Sequence, residues 1–168
     1  ALAKNIVALS ELISARIELF DLTASGIDTL PASAAAYTPV YKKFDKIIRC
    51  YIAYAAKREI SFTLNGDSRG QAKGIDHFEM IPLIVIDNAV KYSPNGQSIR
   101  INFSEDDEHI NVEVTSYGPK IKDDEKTSIF EREFRGEHAI KNGQAGSGIG
   151  LYFARRMLEN IGASIIVK

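Results

Sequence analysis

Two stretches of alternating polar and apolar residues, Ser98–Ser104 and His109–Thr115, lie only four residues apart in this chain. Alternation with a period of two is typical of β-strands that bury one face and expose the other. The residues between them, Glu105 to Glu108, are all acidic and unsuited to a core. We therefore predict an antiparallel hairpin, and the rest of the chain must supply helices that cover its apolar face.

Apolar residues at helical spacing surround this hairpin. The pattern predicts helices over Val40–Lys57, His77–Tyr92 and Gly148–Asn160, and a further strand over Glu59–Asn65. Another strand is expected to begin at Ser164–Val167. Because helices and strands are segregated along the chain, the fold class is α+β, a two-layer sandwich. A chain of 168 residues is long enough for one such domain with its own core.

The first segment, up to about Thr23, reads as a separate helix. Its apolar residues recur at spacings of four and three, close to a heptad pattern of about three repeats, with Arg16 in one slot: Leu2, Ile6, Leu9, Ile13 and Phe20. Two interpretations stay open, an amphipathic helix packed on its own domain or half of a helical hairpin that pairs with another chain. Gly, Ala, Ser and Pro dominate the segment that follows, so we predict a linker over 26–38.

Composition excludes several classes of partner. The net charge is −1, from 21 basic and 22 acidic residues, so the charge balance does not recruit nucleic acid or an anionic membrane. The single cysteine, Cys50, cannot form an intrachain disulfide, which fits a reducing compartment. No apolar run approaches the roughly 18 residues that a membrane span needs. We expect a cytoplasmic location, either as a free protein or as the cytoplasmic part of a membrane-anchored sensor.

Three alternating glycines precede the last predicted helix, in the motif Gly146-Ser147-Gly148-Ile149-Gly150-Leu151. Glycine leaves room for a bulky anion against backbone N–H groups. A helix start adds unpaired N–H donors and the positive end of the dipole, so the motif suits phosphate. The spacing fits neither a P-loop nor a dinucleotide-binding fingerprint. A plain turn before a helix is the alternative interpretation.

A second candidate lies at the end of the helix that begins near His77. Asn88, Lys91 and Tyr92 are three and four residues apart and share one helical face. An amide oxygen suits a hard cation, an ammonium suits phosphate, and an aromatic ring can stack on a base. The alternative is an ordinary helix C-terminus stopped by Pro94, where the dipole favours a lysine.

The third candidate lies in the polar, glycine-rich stretch Tyr117–Ser147, which has little periodicity. Loops of this length inside a compact domain are usually functional or disordered. Within it, Phe130 and Phe134 can pin the loop to the domain, while Arg132 or Arg135 can reach a phosphate. One helical turn with scattered surface charges is the alternative.

These three segments, in this order, resemble the ATP-binding domain of sensor histidine kinases, a branch of the GHKL ATPases. Asp87–Pro94 resembles the family's N box, Ile129–Gly136 its F box and Gly146–Leu151 its second glycine box, while Val112–Ile121 aligns with the first glycine box. The resemblance covers about Pro39 to Lys168. It implies the GHKL (Bergerat) sandwich, with a mixed, mostly antiparallel sheet and helices on one face, over residues 39–168 and continuing past Lys168. It also implies that residues 1–25 belong to a dimerisation and histidine-phosphotransfer helix.

The resemblance implies roles for individual residues. Asn88 would coordinate Mg²⁺, Lys91 would contact the phosphates and Arg135 the terminal phosphate, and these three form the predicted catalytic set. The predicted ATP-binding residues are Asn88, Lys91, Tyr92, Ser116, Gly118, Ile121, Phe130, Arg135, Gly146, Ser147, Gly148, Ile149, Gly150 and Leu151. Tyr92 would line the adenine pocket, and Tyr117–Ser147 would form the ATP lid.

Three positions depart from the family pattern. Ser116 stands where an aspartate usually accepts a hydrogen bond from the adenine amino group, and neutral hydrogen bonds are roughly half as strong as charge-assisted ones. Lys120 replaces a glycine, and Ile84 replaces the first asparagine of the N box. A degenerate module that binds nucleotide or a protein partner without catalysis therefore stays as the alternative function. A GHKL serine kinase is disfavoured, because those kinases lack the leading helical segment.

The predicted phosphate acceptor lies outside this chain. None of the three histidines, His77, His109 and His138, precedes the acidic, apolar, basic and proline pattern of the family's acceptor. The resemblance implies three partners: an upstream histidine-bearing dimerisation domain, a response regulator receiver domain and a second copy in a homodimer of the full-length protein. No nucleic-acid partner is expected.

Overall fold

The computed structural model describes residues 2–25, 37–73, 77–141, 143 and 146–168. Their regular elements run in the order α1 (Leu2–Ser25), β1 (Tyr37–Pro39), α2 (Val40–Ala56), β2 (Ser61–Asn65), β3 (Gln71–Lys73), α3 (Met80–Tyr92), β4 (Ser98–Glu105), β5 (Ile110–Thr115), α4 (Glu125–Ser128), α5 (Glu137–Lys141) and α6 (Gly150–Glu159). Most of the predicted linker, from residue 26 to residue 36, lies outside the described residues.

A three-stranded sheet, ordered β2-β4-β5, forms one layer of the domain. β4 and β5 pair antiparallel, with Ile101 opposite Val114, so the predicted hairpin is confirmed. β2 runs parallel to β4, with Leu64 opposite Ile101. Along β4, Ile99, Ile101 and Phe103 are buried while the alternate residues face outward. The helices cover that buried face, as the α+β sandwich predicts.

Several predicted boundaries were wrong for conformational reasons. His77 and Glu59 have φ angles of 60° and 56°, so α3 starts at Met80 and β2 starts at Ser61. Gly148, at φ 74°, cannot join a right-handed helix, and α6 starts two residues later. Residues 164–168 form no strand, since only the side-chain bond from Lys168 Nζ to Glu113 Oε1, 2.9 Å long, ties them to β5.

The short strands β1 and β3 were not predicted at all. They pair with each other antiparallel, with Thr38 opposite Ala72, and form a separate two-stranded sheet. Each has only three residues, too few to show a periodic pattern. Their pairing places the start of α2 directly after Pro39.

Helix α1 packs on α2 and α3 through a stripe that differs from the predicted heptad seam. Leu12 is buried, and the partly buried residues that pack with it against the core are Ala8, Ala15, Leu19 and Leu22. The predicted seam faces outward, with 59% of Ile6, 58% of Ile13 and 70% of Phe20 exposed. The Leu2 side chain lies outside the described part of the structure. Helix α1 therefore carries two apolar stripes, one of them covered by its own domain.

Replacement of Leu12 by alanine should detach α1 from the domain. We expect Leu12→Ala to lower the free energy of unfolding by about 2–3 kcal/mol, because a buried leucine loses both its apolar transfer and its packing. Urea denaturation followed by circular dichroism measures the change. Ile13→Ala is the matched control on the exposed stripe and should change stability by less than about 0.5 kcal/mol. Equal losses in the two variants would contradict the assignment of the packed stripe.

Candidate nucleotide site

The C-terminal half of α3 is the only part of that helix with polar side chains. Asn88, Lys91 and Tyr92 are half-buried, whereas Ala89 and Val90 between them are buried in the core. Lys91 Nζ lies 4.8 Å from the centroid of the Tyr92 ring, within range of a cation–π contact. The predicted helical face is therefore present, with its ammonium held over its aromatic ring.

The end of α3 is fixed by a residue that the sequence did not single out. Arg58, which follows α2, donates to the carbonyl oxygens of Val90 at 2.8 Å and Ser93 at 2.5 Å. Ser93 Oγ also donates to Ala89 O at 2.7 Å, inside the core. The two Arg58 bonds satisfy carbonyl groups that a helix C-terminus leaves unpaired, and the Ser93 hydroxyl adds a second donor to Ala89 O. Lys91 and Tyr92 thus stand on a helix end that cannot easily fray.

Lys91 reaches the glycine motif. A Cβ atom built on Gly146 would lie 2.6 Å from Lys91 Nζ, closer than real Cβ contacts. The ammonium therefore lies in the space that a side chain at position 146 would occupy. This contact joins the predicted N box to the second glycine box across 55 residues of sequence.

The first glycine segment meets the same end of α3. A Cβ atom at Gly118 would lie 3.4 Å from Tyr92 O, so the segment after β5 runs past the Tyr92 backbone. Ser116, two residues earlier, is exposed, and Ile121 is half-buried. Both belong to the segment that follows β5 and passes the Tyr92 backbone at Gly118. This segment therefore borders the site next to the Tyr92 ring.

The third candidate segment packs on Gly148. A Cβ atom there would lie 2.5 Å from Phe134 O and 2.6 Å from the carbonyl carbon of Glu133. Gly148 has a φ of 74° and Glu133 a φ of 64°, so two left-handed residues lie in backbone contact. Arg135, which is half-buried, follows this contact directly in the chain. The predicted F box is therefore placed beside the glycine motif.

Several further contacts position helix α6. A Cβ atom at Gly150 would lie 3.4 Å from Ile84 Cγ2 on α3, so Ile84 supplies packing where the resemblance expected an amide. The Arg155 guanidinium carbon lies 5.9 Å from the centroid of Phe130, which is buried. Leu151 also packs against the core, and Ile149 N donates to Ser147 Oγ at 3.4 Å. Helix α6 has no side-chain cap hydrogen bond, so its first N–H groups remain available to an anion.

An ionic cluster that the sequence did not predict lies next to Asn88. Tyr51 OH donates to Asp87 Oδ1 at 2.6 Å, and Arg16 of α1 donates to Asp87 and, at 3.1 Å, to the Tyr51 oxygen. Burial and the Asp87 carboxylate raise the pKa of Tyr51, so its hydroxyl stays a donor. Although burial opposes it, contact with Tyr51 and Asp87 raises the pKa of Arg16. One sequence feature could have pointed to this cluster: Arg16 is a charged residue within an otherwise apolar heptad pattern.

The donor set suits a magnesium nucleotide better than a protein-only metal site. Within the described ranges, no group of three or more His, Cys, Asp or Glu side chains could hold a metal ion. Mg²⁺ commonly takes one or two protein oxygens and completes its shell with phosphates and water. The Asn88 amide oxygen, on the helical face predicted to include Lys91 and Tyr92, is a donor of the type that this mode uses. No described helix is both long and apolar enough to cross a membrane.

A side chain at Gly148 should push the Glu133–Phe134 peptide away from the glycine motif. We expect Gly148→Ala to lower the free energy of unfolding by about 2–4 kcal/mol, because a left-handed φ and a steric overlap add up. Gly96→Ala is the matched control, with a φ of 77° and nothing within 4 Å. Gly96→Ala should lower the free energy of unfolding by only about 1 kcal/mol. Chemical denaturation measures both variants, and equal costs would contradict the packing of this segment on Gly148.

Relief of the strain at Glu133 should stabilise the protein. Because glycine adopts a positive φ without steric cost, Glu133→Gly should raise the free energy of unfolding by about 0.5–1 kcal/mol. Glu131→Gly, in the same turn but without a positive φ, should instead lower it by about 0.5–1 kcal/mol through lost backbone rigidity. Thermal denaturation of the two variants measures the difference in their stabilities. A Glu133→Gly variant that is less stable than the wild type would contradict the prediction.

Comparison with known proteins gives the same family throughout. The family model described as histidine kinase-, DNA gyrase B-, and HSP90-like ATPase matches residues 75–168. The chain is 33% identical over 90 residues to the signal transduction histidine-protein kinase ArlS of Staphylococcus haemolyticus, over 54% of this chain and 20% of that protein. ArlS of Staphylococcus aureus strain USA300 is 32% identical over 91 residues, with the same coverage. The chain thus spans about a fifth of the length of these curated relatives.

Solved structures agree on the fold. The mycobacterial sensor histidine kinase MprB superposes with a TM-score of 0.62 at 25% identity, over 76% of this chain and 80% of that one. Full-length ShkA, in complex with AMPPNP, gives a TM-score of 0.64 at 17% identity over 94% of this chain and 32% of that one, a likeness of fold alone. The chain therefore belongs to the histidine kinase-, DNA gyrase B- and HSP90-like ATPase family, with the ATP-binding GHKL fold of the sensor histidine kinases.

Proposed function

We propose that this chain binds Mg-ATP and acts as the catalytic domain of a sensor histidine kinase. It would transfer the terminal phosphoryl group to a histidine on an upstream helix outside this chain. The observation that carries the proposal is the approach of Lys91 Nζ to Gly146, because it brings a cation to the backbone of a glycine motif that opens a helix. An ammonium, unhindered N–H groups and a helix N-terminus together form a site for a polyphosphate.

The phosphate half of the site would be formed by the residues around the start of α6. Gly146, Ser147 and Gly148 leave the backbone open to the phosphates, while Ile149, Gly150 and Leu151 lead into the uncapped first turn. Lys91 would neutralise part of the phosphate charge. Arg135, which follows the Glu133–Phe134 contact with Gly148, would meet the terminal phosphate. The AMPPNP bound to ShkA, a protein of the same fold, supports a nucleotide in this fold.

The base half would lie beside Tyr92. The Tyr92 ring offers a stacking surface of about 1–3 kcal/mol for a base, judging from other nucleotide-binding proteins. Gly118 runs along the Tyr92 backbone, and we propose that Ser116 and Ile121, two residues before it and three after it, line the same pocket. Ser116 can accept a hydrogen bond from an exocyclic amino group, but without the strength of a carboxylate. Phe130, buried against α6, would close the lid side of the pocket.

Asn88 would hold the magnesium ion together with the nucleotide phosphates. When bound, that ion supplies charge neutralisation for the developing phosphoryl group. The remaining work of this chain is positioning: Lys91 and Arg135 orient the phosphates, and the lid excludes water. An imidazole nitrogen already has a lone pair, so the domain needs no general base. The acceptor nitrogen bonds to phosphorus as the bond to the ADP oxygen breaks.

The partners follow from the exposed face of α1. Ile6, Ile13 and Phe20 form an uncovered apolar stripe on a helix whose other stripe is already packed. We propose that the stripe pairs with the histidine-bearing dimerisation domain of the full-length homodimer, and that a response regulator receiver domain accepts the phosphoryl group. The three histidines of this chain do not serve as acceptors. His77 contacts Glu18, and His109 lies 3.5 Å from Asp106. The site would act in the cytoplasm, in a free or membrane-anchored sensor.

Calorimetric titration with ATP, with and without Mg²⁺, tests the proposal. We expect magnesium-dependent binding, and Asn88→Ala should weaken it by about tenfold, or about 1.4 kcal/mol. Asn111→Ala, an exposed asparagine on β5, is the matched control and should bind like the wild type. Ser116→Asp should tighten binding if the base is recognised at that position.

The same titration separates the proposal from its alternative. No binding at millimolar ATP in the wild-type chain would contradict the proposal and favour a non-catalytic module. Binding that is indifferent to both Mg²⁺ and Asn88→Ala would keep nucleotide binding but reject Asn88 as the metal ligand.

A further inference from the structure

Arg16 links the first helix to the segment that carries the proposed magnesium ligand. Its guanidinium donates to Asp87 Oδ1 on α3 and to the hydroxyl oxygen of Tyr51 on α2, the latter at 3.1 Å. About half of the Arg16 side chain is exposed, and the other half lies against the domain. The guanidinium carbon also lies 6.0 Å from the Tyr51 ring centroid. One side chain of α1 therefore touches both of the helices on which α1 rests.

Asp87 is held from two directions. Tyr51 is fully buried, and its hydroxyl donates to Asp87 Oδ1 from inside the domain. Arg16 donates to the same oxygen from α1. A carboxylate with only the tyrosine donor keeps some rotational freedom, whereas two converging donors, one of them charged, fix its rotamer. The second donor is present only while α1 lies on the domain.

Asp87 is the residue immediately before Asn88. On an α-helix, consecutive side chains are separated by about 100°. Asp87 can therefore face α1 and α2 while Asn88 belongs to the neighbouring face with Lys91 and Tyr92. Both residues share one helical turn, so a constraint on the Asp87 side chain is a constraint on the orientation of that turn.

We infer that Arg16 is a positioning residue for the magnesium ligand Asn88, and that it couples the docking of helix α1 to nucleotide binding. The inference rests on the proposed function. With α1 docked, Arg16 and Tyr51 together hold Asp87 and stabilise the turn that presents the Asn88 amide. When α1 lifts off, the turn keeps only the tyrosine bond, and binding that depends on magnesium weakens.

Two other polar contacts of α1 lie away from this turn. Glu11 Oε2 lies 3.5 Å from Cys50 Sγ on α2, and Glu18 pairs with His77 in the turn before α3. Arg16, by contrast, contacts the predicted N box through Asp87. Because binding couplings are reciprocal, Mg-ATP should in turn hold α1 more firmly on the domain.

Calorimetry of single variants tests the coupling. Arg16→Met keeps the apolar stem of the side chain and removes the charge, so α1 should stay packed. Adding Mg²⁺ should raise the ATP affinity of the wild type, and in Arg16→Met this gain should be about fivefold smaller. A factor of five is at the lower end of the range of coupling energies between two sites. Affinity for ATP in EDTA should stay unchanged. Arg16→Lys should restore part of the gain, because a lysine keeps the charge but makes only single contacts.

Arg49→Met is the matched control. Arg49 pairs with Asp45 on the exposed side of α2 at 2.9 Å, so this variant also removes an arginine–aspartate pair. It should leave the magnesium-dependent gain at the wild-type value. Hydrogen exchange gives a readout that a purely structural role would not move. In the wild type, Mg-ATP should slow amide exchange in residues 8–22 by about fivefold, and in Arg16→Met it should not.

The outcomes separate this inference from the function on which it rests. A wild-type chain that binds no ATP overturns both. A wild type with magnesium-dependent binding, together with an Arg16→Met variant of equal magnesium gain and equal slowing of exchange in α1, overturns the coupling alone. An equal loss of affinity in EDTA and in Mg²⁺ would reduce Arg16 to a general structural contact.

Discussion

The burial of helix α3 is the constraint on which the rest of the structure depends. Its first two turns are apolar on every side and lie between the sheet, α2 and α6: Met80, Ile81, Leu83, Ile84 and Ile86 are all buried. Burial of this kind fixes a helix in both translation and rotation, because any shift opens cavities in a close-packed core. The polar residues Asn88, Lys91 and Tyr92 follow directly on this rigid base. Their positions are therefore set by hydrophobic packing several residues away.

Two glycines lie where segments from distant parts of the chain meet. Gly146 admits the Lys91 ammonium, and Gly148 admits the Glu133–Phe134 peptide. Both contacts bring segments from distant parts of the sequence against the start of α6. The left-handed φ of Glu133 costs conformational energy, and that cost persists only because the surrounding packing holds the turn in place. Backbone strain thus lies where the predicted lid meets the second glycine motif.

Helix α1 serves two surfaces at once. One stripe, centred on Leu12, completes the core of the domain, and the other, through Ile13 and Phe20, remains available to a partner. Arg16 lies between these functions, since it belongs to the heptad pattern but contacts Asp87. A charged contact that exists only while α1 lies on the domain can connect the docking of this helix to the conformation of α3 at modest energetic cost.

The sequence by itself determined the α+β class, the β4–β5 hairpin, the three long helices of the domain and the family, because periodicity and motif order are local properties of the chain. It also identified the glycine motif and the face that holds Lys91 and Tyr92. It could not predict the pair β1–β3, the shifted starts of α3 and α6, or the capping of α3 by Arg58, since those depend on single left-handed residues and on distant partners. Only the tertiary structure decided which stripe of α1 is buried and that Arg16 reaches Asp87. Two apolar stripes on one helix look alike in sequence, and only the shape and charge of the surface beneath them selects which one packs.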